Sequence, residues 1–177
     1  MAYAGHLLRI NLTTGNVSSE ELDKKAAHDF IGGRGLASKI LYDEIDPKTD
    51  PMGPDNKLLL ATGPLTGTPI PASARYMVVT KSPLTGAIAC SNSGGFFPAE
   101  LKYAGYDIVL VEGKAQEPVY VWIKNDRVEI RPAKALWGKT THETEDAVIA
   151  ETDPEAKVCS IGPAGENRVR FASVIND

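Results

Sequence analysis

Apolar and polar positions along the chain predict short strands that alternate with short helices. Apolar residues cluster in runs of four to seven, each bounded by Gly, Pro, Ser or Thr, which is typical of buried strands. These runs fall at residues 58–62, 76–80, 87–90 and 106–112. Apolar residues recur at helical spacing over residues 22–31 and 35–44, which predicts two helices. Ser18 or Ser19 is the expected cap of the first, and Gly32 is expected to end it.

The first and last thirds of the chain share one order of elements. A hairpin around residues 13–16 is followed by helical residues and by a strand that ends at Gly63 and Pro64. A hairpin around residues 124–127 is likewise followed by a helix over residues 140–151 and a strand that ends at Gly162 and Pro163. We therefore predict an α+β fold with short helices, arranged as a duplicated hairpin–helix–strand unit. The alternative is one α+β domain without internal symmetry.

Length and charge narrow the classes of protein. The 177 residues fit a single domain, and 42% hydrophobic residues can form a core. The net charge is −4 and no run of Lys or Arg is present, which argues against nucleic acid or an anionic membrane as a partner. The apolar runs are too short to cross a bilayer. The first residues lack the pattern of a signal peptide, so a cytoplasmic location is expected.

Residue types with metal or acid–base chemistry form no recognisable set. Cys90 and Cys159 each end an apolar run and are expected to be buried as small hydrophobic residues. With two cysteines and three histidines that lack ligand spacing, this chain cannot build a four-cysteine cluster or a tetrahedral zinc site. Asp107 and Glu112 flank a strand and are interpreted as edge charges rather than an acid/base pair. No catalytic residue is predicted.

Glycine-rich loops beside the middle strands are the strongest candidates for a binding site. Loops at residues 63–67, 73–75, 81–86 and 91–95 each precede or follow a strand, so they should gather at one end of a sheet. Gly94 and Gly95 let backbone N–H groups approach an anion closely, and a phosphate could rest on the helix that begins near Pro98. Arg75 and Lys81 could add positive charge. The alternative is that the glycines only form tight turns.

Several segments resemble the amino-terminal domain of the aldehyde:ferredoxin oxidoreductases. They cover nearly the whole chain in order, and the stretch from residue 75 to 107 is long and specific. The segments are residues 8–15 (LRINLTTG), 33–37 (GRGLA), 63–68 (GPLTGT), 75–86 (RYMVVTKSPLTG), 92–102 (NSGGFFPAELK), 104–107 (AGYD) and 161–167 (IGPAGEN).

This resemblance implies an enzyme whose tungsten, or molybdenum in some relatives, is held by the dithiolenes of two pterins. It implies oxidation of an aldehyde to a carboxylic acid, with electrons passing through a 4Fe-4S cluster to ferredoxin. Residues 1–177 would form the single pterin-binding domain, a base of two β-sheets on which the pterins sit. The cluster cysteines and the substrate pocket are expected in further domains of the same polypeptide, so the chain alone is expected to be inactive. Homo-oligomerisation stays open.

The resemblance also assigns roles to individual residues. Arg75 matches the family arginine that lies between pterin and cluster. Asn92 matches the asparagine whose backbone carbonyl holds a magnesium ion bridging the two pterin phosphates, and Gly94 matches a glycine whose backbone touches a pterin. With Ser93 and Gly95 of the same loop, these are the predicted cofactor-binding residues. An alternative from a different functional class is a stand-alone interaction or assembly module that has lost the cofactor.

Two geometric expectations follow from these assignments. Arg75, Asn92, Ser93 and Gly94 should lie on one face, with Arg75 and Asn92 close together and at least partly exposed. The same face should be unusually open, and Phe96 and Phe97 are candidates for an exposed apolar patch that would form an interface.

Overall fold

A computed structural model describes residues 2–177 of the chain. Its strands are β1 (His6–Asn11), β2 (Asn16–Glu21), β3 (Lys57–Thr62), β4 (Tyr76–Lys81), β5 (Ile88–Ser93), β6 (Ile108–Glu112), β7 (Val119–Lys124), β8 (Arg127–Pro132), β9 (Cys159–Ile161) and β10 (Val174–Asn176). Its helices are α1 (Lys24–Phe30), α2 (Gly33–Glu44), α3 (Phe97–Tyr103), α4 (Thr141–Glu151) and α5 (Pro163–Glu166), with one 3₁₀ turn at Lys134–Leu136. No helix in this part of the chain combines the length and the apolar character needed to cross a membrane.

Six strands form a central sheet in the order β2-β1-β6-β3-β4-β5. Only the β1–β6 pair is parallel, and the other four pairs are antiparallel. The apolar runs at residues 58–62, 76–80 and 106–112 form the inner strands β3, β4 and β6, which are covered on both faces and therefore need apolar residues at successive positions. The run at residues 87–90 falls in the edge strand β5. β5 and β2 are the two edges, and β5 holds the loop of the predicted site.

The two faces of the central sheet carry separate cores. α1 and α2 cover one face, where Leu36 and Leu41 of α2 pack with Leu59 and Leu110 of the sheet. On the other face, α3 and the β7–β8 hairpin cover a cluster of buried residues: Leu8, Ile10, Leu101, Tyr106 and Val109. Because side chains alternate along a strand, the face of each β4 and β5 residue can be read from its neighbours.

The predicted α+β fold of sheets and short helices is confirmed, with one difference in the number of sheets. The order hairpin, helix, strand does occur twice. β1, β2 and β3 share the central sheet, whereas β7–β8 and β9–β10 form two separate two-stranded sheets, giving three sheets in the described residues rather than two. The third sheet exists because β9 pairs with residues 174–176, which are too few to show a strand pattern in the sequence.

Three local expectations were wrong. Ser18 and Ser19 do not cap a helix, because β2 extends to Glu21 in register with β1; Asp23 caps α1, accepting hydrogen bonds from the backbone N–H groups of residues 25 and 26. Both cysteines were expected to be buried. Cys90 is exposed because it lies in the edge strand β5, whose residues are mostly exposed, and Cys159 is only partly buried. Asp107 is not an edge charge but is 2% exposed, because it pairs with Lys102 and with backbone N–H groups near the start of the chain.

Asp107 forms a buried ion pair with Lys102, whose side chain is 9% exposed. The Asp107 carboxylate also accepts hydrogen bonds from the backbone N–H groups of Ala4 (3.1 Å) and Gly5 (2.7 Å). The Lys102 ammonium donates a further bond to Thr62 Oγ1 at 3.3 Å. Buried charges need such partners, and these bonds join the start of the chain, α3 and the end of β3.

Candidate functional site

Arg75 and Asn92, the two central residues of the predicted site, are in direct contact. Arg75 Nη1 donates a hydrogen bond to Asn92 Oδ1 at 2.9 Å, and both residues are exposed. Arg75 immediately precedes β4, and Asn92 lies in β5 opposite Met77. Arg75 makes no salt bridge with a carboxylate of residues 2–177. Its charge is therefore available to an anionic ligand.

A buried threonine that the sequence did not single out fixes the backbone of Arg75. Thr66, 3% exposed, donates from Oγ1 to the Arg75 carbonyl at 2.9 Å. The same hydroxyl accepts a bond from the backbone N–H of Gly63 at 3.0 Å. Thr66 thus joins the loop after β3 to the residue before β4. The available signal was a polar residue within the glycine-rich loop at residues 63–68.

The backbone of Asn92 faces the open edge of the central sheet. The Ser82 N–H donates to the Ala87 carbonyl at 2.8 Å, and hydrogen-bonded pairs recur every two residues along an antiparallel ladder. Steps of two from that pair reach Tyr76 and Ser93, which are partners in the register. Asn92, one position away, is therefore not bonded to β4. Since β5 is an edge strand, the Asn92 N–H and C=O point out of the sheet, where a ligand can reach them.

The glycines of the loop make close contacts with the protein itself, which the sequence did not predict. The Gly94 carbonyl accepts a hydrogen bond from Asn176 Nδ2 at 2.7 Å. Gly95 has φ +94°, and a Cβ there would lie 2.8 Å from Asn176 Nδ2 and 2.8 Å from Asp177 Oδ2. Glycine is thus needed at position 95 both for its conformation and for its packing against the end of β10.

Two positions where an anion was expected are occupied by other parts of the chain. The Asp177 carboxylate accepts hydrogen bonds from the backbone N–H groups of Phe96 (2.5 Å) and Phe97 (3.2 Å) at the start of α3. The Lys81 ammonium donates to two backbone carbonyls at residues 47 and 49, each at 2.7 Å. A carboxylate of the same chain therefore lies where a phosphate was expected at this helix end. Lys81 keeps its positive charge, because backbone carbonyls are neutral acceptors, but it lies at the opposite end of β4 from Arg75.

The expected apolar patch includes only one of its two candidates. Phe96 is 69% exposed, and the Lys157 ammonium lies 5.2 Å from the centre of its ring. Phe97 is partly buried and packs against Tyr76 with ring centres 5.4 Å apart. Proline 98, which follows, is fully buried, so the start of α3 is anchored while Phe96 stays at the surface.

The titratable groups nearest the loop serve as hydrogen-bonding partners. The Tyr76 hydroxyl lies 3.4 Å from Cys159 Sγ, and burial raises the pKa of both groups above their ordinary values. Both therefore stay protonated at neutral pH. No cluster of three or more His, Cys, Asp or Glu side chains that could hold a metal ion occurs within residues 2–177. The outward carbonyl of Asn92 is the oxygen ligand that the site itself offers.

Comparison with known proteins decides the family. Residues 7–177 match the family model described as the N-terminal domain of aldehyde ferredoxin oxidoreductase. The chain belongs to this family. The resemblance inferred from the sequence segments is confirmed, and the family relationship includes the segment with Arg75 and the loop with Asn92.

Relatives in the family are much longer than this chain. It is 54% identical over 174 residues to the tungsten-containing aldehyde ferredoxin oxidoreductase of Pyrococcus furiosus, a match that covers 98% of the chain and 29% of that protein. It is 38% identical over 190 residues to the WOR-like subunit of an aliphatic sulfonate oxidoreductase from the same organism, covering 98% of the chain and 30% of that subunit. The chain thus spans less than a third of the length of these relatives.

The fold is also found in a solved structure, the active site complex BamBC of benzoyl coenzyme A reductase in complex with 1,5-dienoyl-CoA. The TM-score is 0.97 at 43% sequence identity, and the match covers 99% of this chain and 27% of that chain. The names of these relatives describe oxidoreductases that act on different substrates.

Proposed function

We propose that residues 1–177 are the cofactor-binding domain of an oxidoreductase that carries tungsten or molybdenum on two pterins. The domain binds the phosphates of that cofactor through the loop at residues 92–95 and through Arg75. The whole protein oxidises aldehydes to carboxylic acids and passes the electrons to ferredoxin. The contact between Arg75 and Asn92 at the open edge of the sheet is the observation that supports this proposal most strongly.

The residues at this edge fit the chemistry of such a cofactor. A guanidinium offers a planar set of N–H donors that suits a phosphate or the edge of a pterin, and Arg75 has no competing carboxylate partner in residues 2–177. A backbone carbonyl is a hard oxygen ligand of the kind magnesium prefers, and the Asn92 carbonyl points outward. When bound, the metal–pterin group would supply the redox chemistry.

The chain's own role in the reaction is to bind and orient. Arg75 would place a fixed positive charge next to the cofactor, Thr66 fixes the Arg75 backbone, and Asn92 would offer its backbone carbonyl to a magnesium ion. Two cysteines cannot ligate a 4Fe-4S cluster, so its thiolates come from parts of the protein outside residues 1–177. The isolated domain therefore oxidises no aldehyde. We also propose that the whole protein is cytoplasmic.

Substitution of Arg75 in the full-length protein tests the proposal. Loss of a charge-assisted hydrogen bond costs about 1.5–3 kcal/mol, so Arg75→Ala should weaken cofactor binding by about ten- to a hundredfold. Arg75→Lys should recover only part of this, because a point charge cannot reproduce the planar donor set. Arg127→Ala, which removes an exposed arginine of the β7–β8 hairpin, is the matched control.

The readout is tungsten, molybdenum, magnesium and pterin per polypeptide after purification. Loss of these in Arg75→Ala but not in Arg127→Ala supports the proposal. If the wild-type protein bound no pterin or metal, that result would instead favour the stand-alone interaction or assembly module.

A further inference from the structure

Asn176 stands at the centre of a chain of hydrogen bonds behind the candidate site. Its Oδ1 accepts a bond from the Tyr76 hydroxyl at 3.1 Å, and its Nδ2 donates to the Gly94 carbonyl at 2.7 Å. The Gly94 carbonyl can only accept, so the Asn176 amide must turn its nitrogen toward Gly94 and its oxygen toward the Tyr76 hydroxyl. Tyr76 is 1% exposed, so its hydroxyl is held in place by the surrounding core.

The hydrogen bonds of Asn176 lie on the face of the central sheet opposite to the side chains of Arg75 and Asn92. Tyr76 and Met77 are adjacent in β4 and point to opposite faces of the sheet. Tyr76 contacts Phe97 on the α3 face, whereas Asn92 lies opposite Met77 and shares the α2 face. The Asn176 amide therefore contacts the loop on the α3 face and leaves the side chains of Arg75 and Asn92 uncovered on the α2 face.

The loop needs such support because of its composition. Gly94 and Gly95 lie between the end of β5 and α3, and glycine loses more conformational freedom on ordering than any other residue. Residues 176 and 177 hold this stretch: Asn176 binds the Gly94 carbonyl, and both residues pack against Gly95. A binding loop that is ordered before its ligand arrives binds more tightly than a flexible one.

We propose that Asn176 is a positioning residue for cofactor binding, which it serves by fixing the Gly94 carbonyl and so the backbone of the loop that follows Asn92. Tyr76 is its hydrogen-bonding partner on the other side of the amide. This inference rests on the proposed function of the Arg75–Asn92 edge, but it concerns a residue that makes no hydrogen bond to Arg75 or Asn92 in residues 2–177 and lies 82 residues from Gly94 in the sequence.

Asn176→Asp in the full-length protein tests the proposal. The substitution keeps the size of the side chain and replaces the Nδ2 donor by an oxygen that faces the Gly94 carbonyl. Asn167→Asp is the matched control, because Asn167 Nδ2 also donates to a backbone carbonyl at 2.7 Å, that of Pro163 in α5. Two quantities are measured: hydrogen exchange of the peptide that covers residues 91–97, and magnesium and metal–pterin content per polypeptide.

Asn176→Asp should raise exchange at residues 91–97 by about three- to tenfold, the effect of one neutral hydrogen bond, and should lower magnesium and cofactor content. Exchange in β1, β3 and β6 should not change, whereas a general loss of stability would raise it there too. Exchange or cofactor content equal to that of Asn167→Asp would overturn the proposal. If Asn176→Asp does not fold, Tyr76→Phe, which keeps the ring packed on Phe97, carries the same test with the same outcomes.

Arg75→Ala, measured in parallel, separates the two proposals. It should lower cofactor content without raising exchange at residues 91–97. Lost cofactor in Arg75→Ala together with unchanged content in Asn176→Asp would refute only the role of Asn176. Unchanged cofactor content in both variants would refute the binding site itself.

Discussion

The Arg75 guanidinium and the Asn92 side-chain oxygen are joined by a 2.9 Å hydrogen bond across the β4–β5 edge of the central sheet. The bond orients an arginine without neutralising its charge, since an amide oxygen is a neutral acceptor. It also engages the Asn92 side-chain oxygen, whereas the Asn92 backbone carbonyl points away from β4 at the open edge of the sheet. Under the proposed function, the side chain orients Arg75 and the backbone carbonyl is the ligand of magnesium.

Asn92→Ala should separate those two roles. The variant keeps the backbone carbonyl but removes the acceptor that orients Arg75. Cofactor retention should fall by about three- to tenfold, less than in Arg75→Ala, because a neutral hydrogen bond contributes less than a charged group. Magnesium bound per remaining cofactor should equal that of the wild type in elemental analysis. Cofactor retained without magnesium would show instead that the side chain, and not the carbonyl, is the ligand.

Removal of Asp107 should be strongly destabilising. Asp107→Ala leaves the Lys102 ammonium buried without its charge partner and removes the acceptor of two backbone N–H groups, so we predict a loss of about 3–5 kcal/mol in the free energy of unfolding. The control Asp153→Ala breaks the exposed pair with Lys124 and should cost at most about 1 kcal/mol. Urea unfolding of both variants checks this. Equal costs would mean that Asp107 is not in a buried ion pair.

Stability should fall in acid because of an ion-pair network at the end of the central sheet that lies away from Arg75 and Asn92. The network consists of Arg9, Glu44, Lys57 and Glu112. Burial alone would raise the pKa of Glu44 and Glu112, but hydrogen bonds and charges from Arg9 and Lys57 outweigh it and hold both pKa values below the ordinary range. A carboxylate with a lowered pKa in the folded state stabilises the protein above its unfolded pKa, about 4.3, and this contribution is lost as the pH falls further.

The variant Glu44→Gln tests that dependence. At pH 7 it should lower stability by about 1 kcal/mol, since the network is partly exposed. Its difference from the wild type should shrink as the pH is lowered from about 5 to 3. Thermal unfolding across this range is the measurement, with Glu117→Gln as the control because Glu117 is exposed. A difference that stays constant down to pH 3 would contradict the assignment.

The proximity of Arg75 and Asn92 could be predicted because it depends on local order. β4 and β5 are neighbours in sequence joined by a short loop, and the two residues lie at the same end of that pair. The family segments fall in the same region. The inner strands were likewise predictable, since strands covered on both faces need unbroken apolar runs.

Contacts between distant parts of the chain could not be predicted. Asp107 is buried because residues 4 and 5, more than 100 positions away, supply its N–H donors, and Gly94 is fixed by a residue 82 positions away. Isoleucine 31 shows the same limit: it adopts φ +66°, a conformation that sequence rules reserve for glycine. The Ile31 carbonyl accepts a 2.6 Å hydrogen bond from the Tyr3 hydroxyl, and Ile31 is the residue that caps the end of α1. Gly32 follows as the N-cap of α2 and packs beside Pro64.

A crystal structure of the full-length protein with its cofactor would show whether the Arg75–Asn92 edge is the binding site. We expect a magnesium ion within about 2.1 Å of the Asn92 carbonyl oxygen, pterin phosphates on that ion, and the Arg75 guanidinium in contact with the cofactor. A metal–pterin group bound away from this edge, with the Asn92 carbonyl and Arg75 in contact with protein or solvent alone, would contradict it.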